Sequence, residues 1–142
     1  MLRQIDVLLV EDDPADAELT LRALAHTGTA AAVEHARDGE EALDALGARG
    51  LRPRVILLDL KLPGMTGLEL LRRIRSDPET CTLPVVVFTS SAETRDLAGS
   101  YSFGANGYAQ KPVEFGEFGE AVGRLCDFWL RVNRVPPASS GG

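Results

Sequence analysis

Val55-Ile56-Leu57-Leu58-Asp59-Leu60-Lys61-Leu62-Pro63-Gly64-Met65-Thr66-Gly67 is the stretch on which the fold turns. Its first four residues are apolar without alternation. That pattern predicts a strand covered on both faces, as in a parallel sheet between helix layers. The run ends on a carboxylate, Asp59, and opens onto a Pro63-Gly64 loop. Beyond the loop, Leu68, Leu71 and Ile74 recur at spacing three, which predicts a helix over residues 67–76, terminated by Asp77-Pro78. A carboxylate at the end of a buried strand is a poor core residue and a good nucleophile.

The same alternation of apolar run and helical pattern occurs five times. Residues 5–10 read as a strand ending at Glu11-Asp12-Asp13, with Asp13 as helix cap and Pro14 at the first helical position. The helix that follows is expected to end near Gly28. Residues 32–36 form a weak second strand, Asp38-Gly39 a turn, and residues 40–46 a short helix stopped by Gly47. Strands over residues 55–58, 85–88 and 107–110 and helices over residues 92–103 and from Phe115 onward complete the pattern. Short connections between five such units predict a doubly wound α/β fold, a flavodoxin-like five-stranded parallel sheet of order 2-1-3-4-5 with five helices. Ligands in such sheets bind beyond the carboxyl ends of the strands, where the order switches between strands 1 and 3. Glu11, Asp12 and Asp59 occupy those ends, so topology and chemistry choose one crevice. Several carboxylates converging there require a cation.

Bulk properties narrow the choice. A chain of 142 residues with 44% hydrophobic and 25% charged residues reads as one globular domain, residues 1–134, followed by a disordered tail over residues 135–142. With 15 basic and 21 acidic residues the net charge is −6 and no basic stripe is visible, which argues against nucleic acid as a partner; Arg72, Arg73 and Arg75 read as a solvated helix face. No apolar stretch reaches membrane-spanning length and no signal peptide is evident. Cys81 and Cys126 lack metal or redox spacing and fit reduced thiols in the cytoplasm. His26 and His35 are isolated. No phosphate-cradling glycine loop, dinucleotide fingerprint or serine elbow is present.

Four segments together resemble the receiver domain of two-component response regulators: Leu9-Val10-Glu11-Asp12-Asp13, Asp59 through Gly67, Val87-Phe88-Thr89-Ser90, and Gly107-Tyr108-Ala109-Gln110-Lys111-Pro112. They come in that family's order and spacing over nearly the whole chain. The resemblance implies that Asp59 is the phospho-acceptor, forming an aspartyl-phosphate in a Mg²⁺-dependent phosphorelay. It implies metal ligation by Asp12, Asp59 and the Lys61 backbone carbonyl, with Glu11 acting mostly through water and Asp13 outside the set. Lys111 is then the cationic partner of the phosphoryl group, in a Lys-Pro bond that is typically cis in this family. Thr89 and Tyr108 resemble the switch pair, a hydroxyl that follows the phosphoryl group and an aromatic ring that rotates behind it. Lys61 and Ser91, two residues beyond the acceptor and the switch threonine, are expected to tune the phosphoryl lifetime. Partners implied are a sensor histidine kinase, of the phytochrome type by resemblance to single-domain regulators, and a histidine phosphotransfer protein. Since few residues follow Arg134, the expectation is a stand-alone receiver and no enzyme beyond its own phosphorylation and dephosphorylation.

Two other classes compete. A Mg²⁺-dependent aspartyl-nucleophile phosphatase would normally carry a second acid two residues after the nucleophile, where this chain has Lys61. A flavodoxin-type cofactor binder would need a phosphate loop where this chain has Glu11-Asp12-Asp13. In the last helix, Phe115, Phe118, Val122, Leu125, Trp129 and Val132 are expected to form a core stripe. Phe128 and Leu130 flank it, and Gly116, Gly119 and Gly123 lie beside Leu130, which predicts a homodimer contact through this region.

Overall fold

The computed structural model describes residues 1–27 and 31–137. Five strands, β1 (Arg3–Val10), β2 (Val33–Ala36), β3 (Leu51–Leu58), β4 (Val85–Thr89) and β5 (Gly107–Gln110), form one parallel sheet of order β2-β1-β3-β4-β5. The predicted order is therefore observed. Helices α1 (Pro14–Ala25) and α5 (Phe115–Cys126) pack together on one face, and α2 (Gly39–Leu46), α3 (Gly67–Ser76) and α4 (Thr94–Ser102) cover the other. Two apolar layers result. Leu8, Val10, Ile56, Leu58, Val85 and Val87 face Leu46, Leu70, Leu71 and Ile74. Val7, Leu9, Val55, Leu57, Val86 and Phe88 face Ala17, Leu24, Phe118 and Val122. The alternation of neighbours along β1, β3 and β4 is the strand period of two, and every residue is apolar because both faces are covered.

Local chemistry sets the element ends. Asp13 caps α1 by accepting from the backbone N–H of Ala15 and Asp16, Asp38 caps α2 through Glu41 N–H, and Thr66 caps α3 through Glu69 N–H. Helix α1 ends at Ala25 with His26 as C-cap, earlier than the expected Gly28, which lies outside the described residues. Strand β3 begins four residues before the predicted start at Val55. Its Arg52-Pro53-Arg54 reads as loop, yet Arg52 is buried and its guanidinium donates to the carbonyls of Leu46 and Leu51 at 2.6 and 2.8 Å. Helix α4 starts at Thr94 rather than Ala92 and has no side-chain cap. Arg75 departs from the solvated-face reading: it leaves α3 to donate to the carbonyls of Gly104, Cys81 and Leu83 and to the Asn106 side chain. Arg72 and Arg73 stay exposed beside Glu69.

The last helix corrects the expected stripe. Phe118, Val122, Cys126 and Leu130 are buried, at spacing four, whereas Phe115 and Val132 are exposed and Leu125 and Trp129 pack only partly. After Cys126 the helix widens into a π-helical segment, Asp127–Val132, in which Asn133 N–H bonds the Phe128 carbonyl at 2.7 Å. The wider turn carries Leu130 inward, and the Arg54 guanidinium of β3 donates to the Leu130 carbonyl. Leu130 is thus core rather than contact surface. An added Cβ would meet nothing within 4 Å at Gly119 or Gly123 and only the Glu114 carboxylate at Gly116, so packing within the chain requires none of these glycines. Val135, Pro136 and Pro137 lie without regular structure along a cavity of about 210 Å³ with Leu2, Pro53 and Pro84; the remainder of the expected tail lies outside the described residues. No described helix is long and apolar enough to cross a membrane.

Candidate functional site

Register brings the acidic residues together. Val10 pairs with Leu58 on one side and with Ala36 on the other. The ladder continues one residue past the strands: Asp59 N–H bonds the Val10 carbonyl and Glu11 N–H the Ala36 carbonyl, both at 3.0 Å. Glu11 and Asp59 therefore stand side by side on fixed backbone at the carboxyl edge of the sheet. Both are buried, at 2% and 7% exposure, while Asp12 faces solvent.

Lys111 reaches into this pair from the end of β5. Its backbone N–H is held by the Thr89 carbonyl at 2.7 Å. Its ammonium donates to Glu11 Oε1 at 2.5 Å, Asp16 Oδ2 at 2.8 Å and Asp59 Oδ2 at 3.0 Å. An ammonium has three hydrogens, and here each has its own carboxylate. Asp59 Oδ1 in turn accepts the Lys61 backbone N–H at 3.2 Å. The Lys111–Pro112 bond is trans, as no described peptide bond is cis; the difference between isomers at X–Pro is only about 0.5–1 kcal/mol.

The electrostatics follow from burial and charge. Burial drives the Asp59 carboxyl upward, but the Lys111 charge and hydrogen bond, the Lys61 N–H and the Thr89 hydroxyl outweigh it and hold the group below its ordinary value. Burial first, and then the Asp59 charge, push Glu11 up to about 7 despite its bond to Lys111. Burial alone would lower Lys111, yet its hydrogen bonds to Asp16, Glu11 and Asp59 carry it above the normal lysine value. Asp59 is thus the ionised, oriented carboxylate, and the site holds more negative charge than one lysine balances.

The donor set suits a hard divalent cation. Its atoms are carboxylate oxygens with no sulfur or imidazole among them, the chemistry that binds Mg²⁺ through one or two carboxylates and retained waters. No three acidic, histidine or cysteine side chains form a ready cage among the described residues. Asp13 serves as helix cap and stands apart, as the sequence predicts.

Thr89 is fully buried at the end of β4, and its Oγ1 accepts the Ser91 N–H at 3.4 Å. Tyr108 lies half-buried on β5 with its hydroxyl donating to the Ser91 carbonyl at 2.9 Å. Ser91 itself turns its hydroxyl away to Asp96, at 2.6 Å. Thr89 and Tyr108 are thus both bonded to Ser91, whose side chain ties the same loop to Asp96 of α4. Lys61 projects into solvent beside the site. Among the described residues, the His26 and His35 rings bond backbone carbonyls, those of Arg22 and Glu11. Sequence reading missed Asp16. An acid in the first turn of a helix reads as a partner of the helix dipole, and only its placement one turn beyond Asp12 hints at the crevice.

Comparison with known proteins agrees with this geometry. Residues 7–123 match the response regulator receiver domain. Response regulator Rcp1 of Synechocystis sp. is 36% identical over 141 residues, covering 93% of both chains. The phosphorylated cyanobacterial phytochrome response regulator RcpA superposes with a TM-score of 0.89 at 36% identity over 95% of this chain and 100% of its own. The Mn²⁺-bound form of Rcp1 gives 0.87 at 33% identity over 94% and 99%. The bacteriophytochrome response regulator AtBRR is 46% identical over 94% and 99%, with a TM-score of 0.70. A parallel sheet of order 2-1-3-4-5 whose switch point gathers Glu11, Asp59 and Lys111, matched over nearly its full length by such regulators, places the chain in the response regulator receiver family.

Proposed function

We propose that Asp59 accepts a phosphoryl group from a phosphohistidine of a sensor histidine kinase and that the chain signals through the resulting change of shape. The observation that carries this is the Asp59 carboxylate itself: buried, held ionised, and gripped on both oxygens, by Lys111 and by the Lys61 N–H. One Asp59 oxygen forms a bond to phosphorus as the P–N bond breaks and its electron pair leaves with the imidazole. Lys111 then transfers one hydrogen bond from Asp59 to a phosphoryl oxygen. A Mg²⁺ ion held by Asp12, Asp59 and the Lys61 carbonyl, with Glu11 through water, would neutralise the approaching anions.

The new phosphoryl oxygens offer Thr89 a stronger acceptor than the carboxylate. Drawing the Thr89 hydroxyl inward pulls on Ser91, whose carbonyl holds Tyr108, so loop and ring move together. Likeness to RcpA and AtBRR supports a phytochrome-type kinase as donor. A histidine phosphotransfer protein is the natural onward acceptor, since an acyl phosphate passes its group to an imidazole. We place the exchange in the cytoplasm, where the free thiols of Cys81 and Cys126 stay reduced. The homodimer expected through the last helix narrows to Phe128, which stays exposed and stacks edge-on against Trp129. The phosphatase reading is not favoured, because Lys61 offers no acid to hydrolyse the acyl phosphate.

Labelling with acetyl phosphate followed by hydroxylamine tests this reading. The expected adduct is lost to hydroxylamine, as an acyl phosphate is. A hydroxylamine-resistant adduct would contradict it.

A further inference from the structure

Lys111 is shared by three carboxylates, and only two of them belong to the acid cluster at the sheet edge. The third is Asp16, in the first turn of α1, whose Oδ2 lies 2.8 Å from the ammonium. Asp16 is 30% exposed while Lys111 is 5% exposed, so this carboxylate joins the buried ammonium to the surface. It also lines, with Lys111, Pro112, Val113 and Phe115, the pocket between α1 and the segment after β5.

We infer that Asp16 is a positioning residue for phosphoryl transfer, holding the Lys111 ammonium over Asp59 while its other two partners are drawn to new bonds. The inference rests on the proposed phosphorylation of Asp59. During transfer, Asp59 gives its Lys111 bond to a phosphoryl oxygen. Glu11 would turn, through water, toward a cation held at the acid pair. Asp16 has neither task. It sits on a different element, fixed by the Asp13 cap at the start of α1. An ammonium on a four-carbon stem left with one moving partner would sample many rotamers and lose its aim. One fixed, charge-assisted hydrogen bond prevents this. Asp16 touches neither phosphorus nor the acceptor oxygen and acts only through Lys111.

The test compares wild type with Asp16→Ala and Asp16→Asn, by two readouts. The first is the ¹⁵N–¹H resonance of the Lys111 side-chain ammonium, visible when its hydrogens are held and lost when they exchange freely. The second is acetyl phosphate labelling as a function of donor concentration, which separates the ceiling rate from half-saturation. Expected is a visible Lys111 resonance in wild type that disappears in Asp16→Ala. The ceiling rate should fall roughly tenfold with half-saturation little changed, the size of one charged hydrogen bond. Asp16→Asn keeps an oxygen acceptor and should recover part of both. An unchanged resonance, or an unchanged ceiling rate in a folded Asp16→Ala, would overturn the inference. Should Asp16→Ala fail to fold, Asp16→Asn carries the same comparison: wild-type values of both readouts after heating and cooling controls would overturn it. If wild type itself takes no phosphoryl group, the proposed function fails, and the resonance still decides whether Asp16 holds Lys111.

Discussion

Asp59 and Cys126 show how burial acts on single groups in this chain. Both are buried, but Asp59 has cationic and N–H partners that reverse the effect of burial, whereas Cys126 has none and its thiol is pushed up to about 11 by burial and by Asp127. The sign for stability follows from linkage. The unfolded thiol ionises near 9 and the folded one near 11, so between those values the unfolded chain binds fewer protons and stability falls as pH rises. Wild type should lose about 2 kcal/mol more than Cys126→Ala between pH 8.5 and 11, read by urea unfolding at each pH. Parallel curves would contradict the assignment. Lys61 makes a second prediction. It stands exposed two residues after Asp59, where a long cation can shield an acyl phosphate from water. Lys61→Ala should lose its phosphoryl group about two- to fivefold faster, the scale of one exposed charge; equal or slower loss would remove the shielding role. The places of Asp59, Thr89 and Lys111 at strand ends were legible in the apolar runs, whereas Tyr108, inside β5, is singled out only by resemblance. Asp16 was not legible, because an acid in a helical first turn has an ordinary local reason to be there.

At the scale of elements, close backbone approach decides what each position tolerates. Helix α3 begins so near Asp59 that a Cβ on Gly67 would stand 2.5 Å from the Asp59 carbonyl oxygen and 2.6 Å from Leu60 Cα. Gly67→Ala should therefore cost roughly 1–3 kcal/mol in denaturant unfolding and displace the acceptor strand end. Gly64, at φ +71° with open space around it, is demanded by the turn rather than by packing. The π-helical segment gives a contrasting pair. Leu130→Ala should cost about 2–5 kcal/mol, as for a buried leucine, and Phe128→Ala under about 1 kcal/mol. The reverse order would mean that the segment does not turn Leu130 inward. The cap of α1 was readable from Asp13, whereas Asp38 reads only as part of a turn and Thr66 only as part of the loop after Asp59. The widened turn was not legible, because a period of 3.6 residues places Leu130 on a flank and only the extra residue per turn moves it into the core. The early start of β3 was hidden because Arg52 is polar in sequence, yet its guanidinium finds acceptors close by, on Leu46 at the end of α2 and on the neighbouring Leu51.

For the molecule as a whole, apolar runs without alternation point to a parallel sheet between helix layers, and right-handed crossovers restrict which face each helix covers; the order 2-1-3-4-5 comes from the flavodoxin-like pattern and is the order observed. The crevice at the switch point then gathers residues 100 positions apart, Glu11 and Lys111, into one site. Self-association is the property most remote from local pattern. Of the two residues that flank the stripe, Phe128 stays exposed while Leu130 is core; if the proposed dimer forms through it, Phe128→Glu should reduce the weight-average mass in light scattering at tens of micromolar. A monomeric wild type, unchanged by the substitution, would remove the dimer. The measurement that bears most directly on the proposed chemistry is intact mass after incubation with acetyl phosphate, with and without Mg²⁺, for wild type and Asp59→Asn. The expected result is a single phosphoryl adduct that forms only with Mg²⁺ and only when Asp59 is present. An adduct that persists in Asp59→Asn, or none in wild type with either acetyl phosphate or a histidine kinase as donor, would contradict the assignment of Asp59 as acceptor.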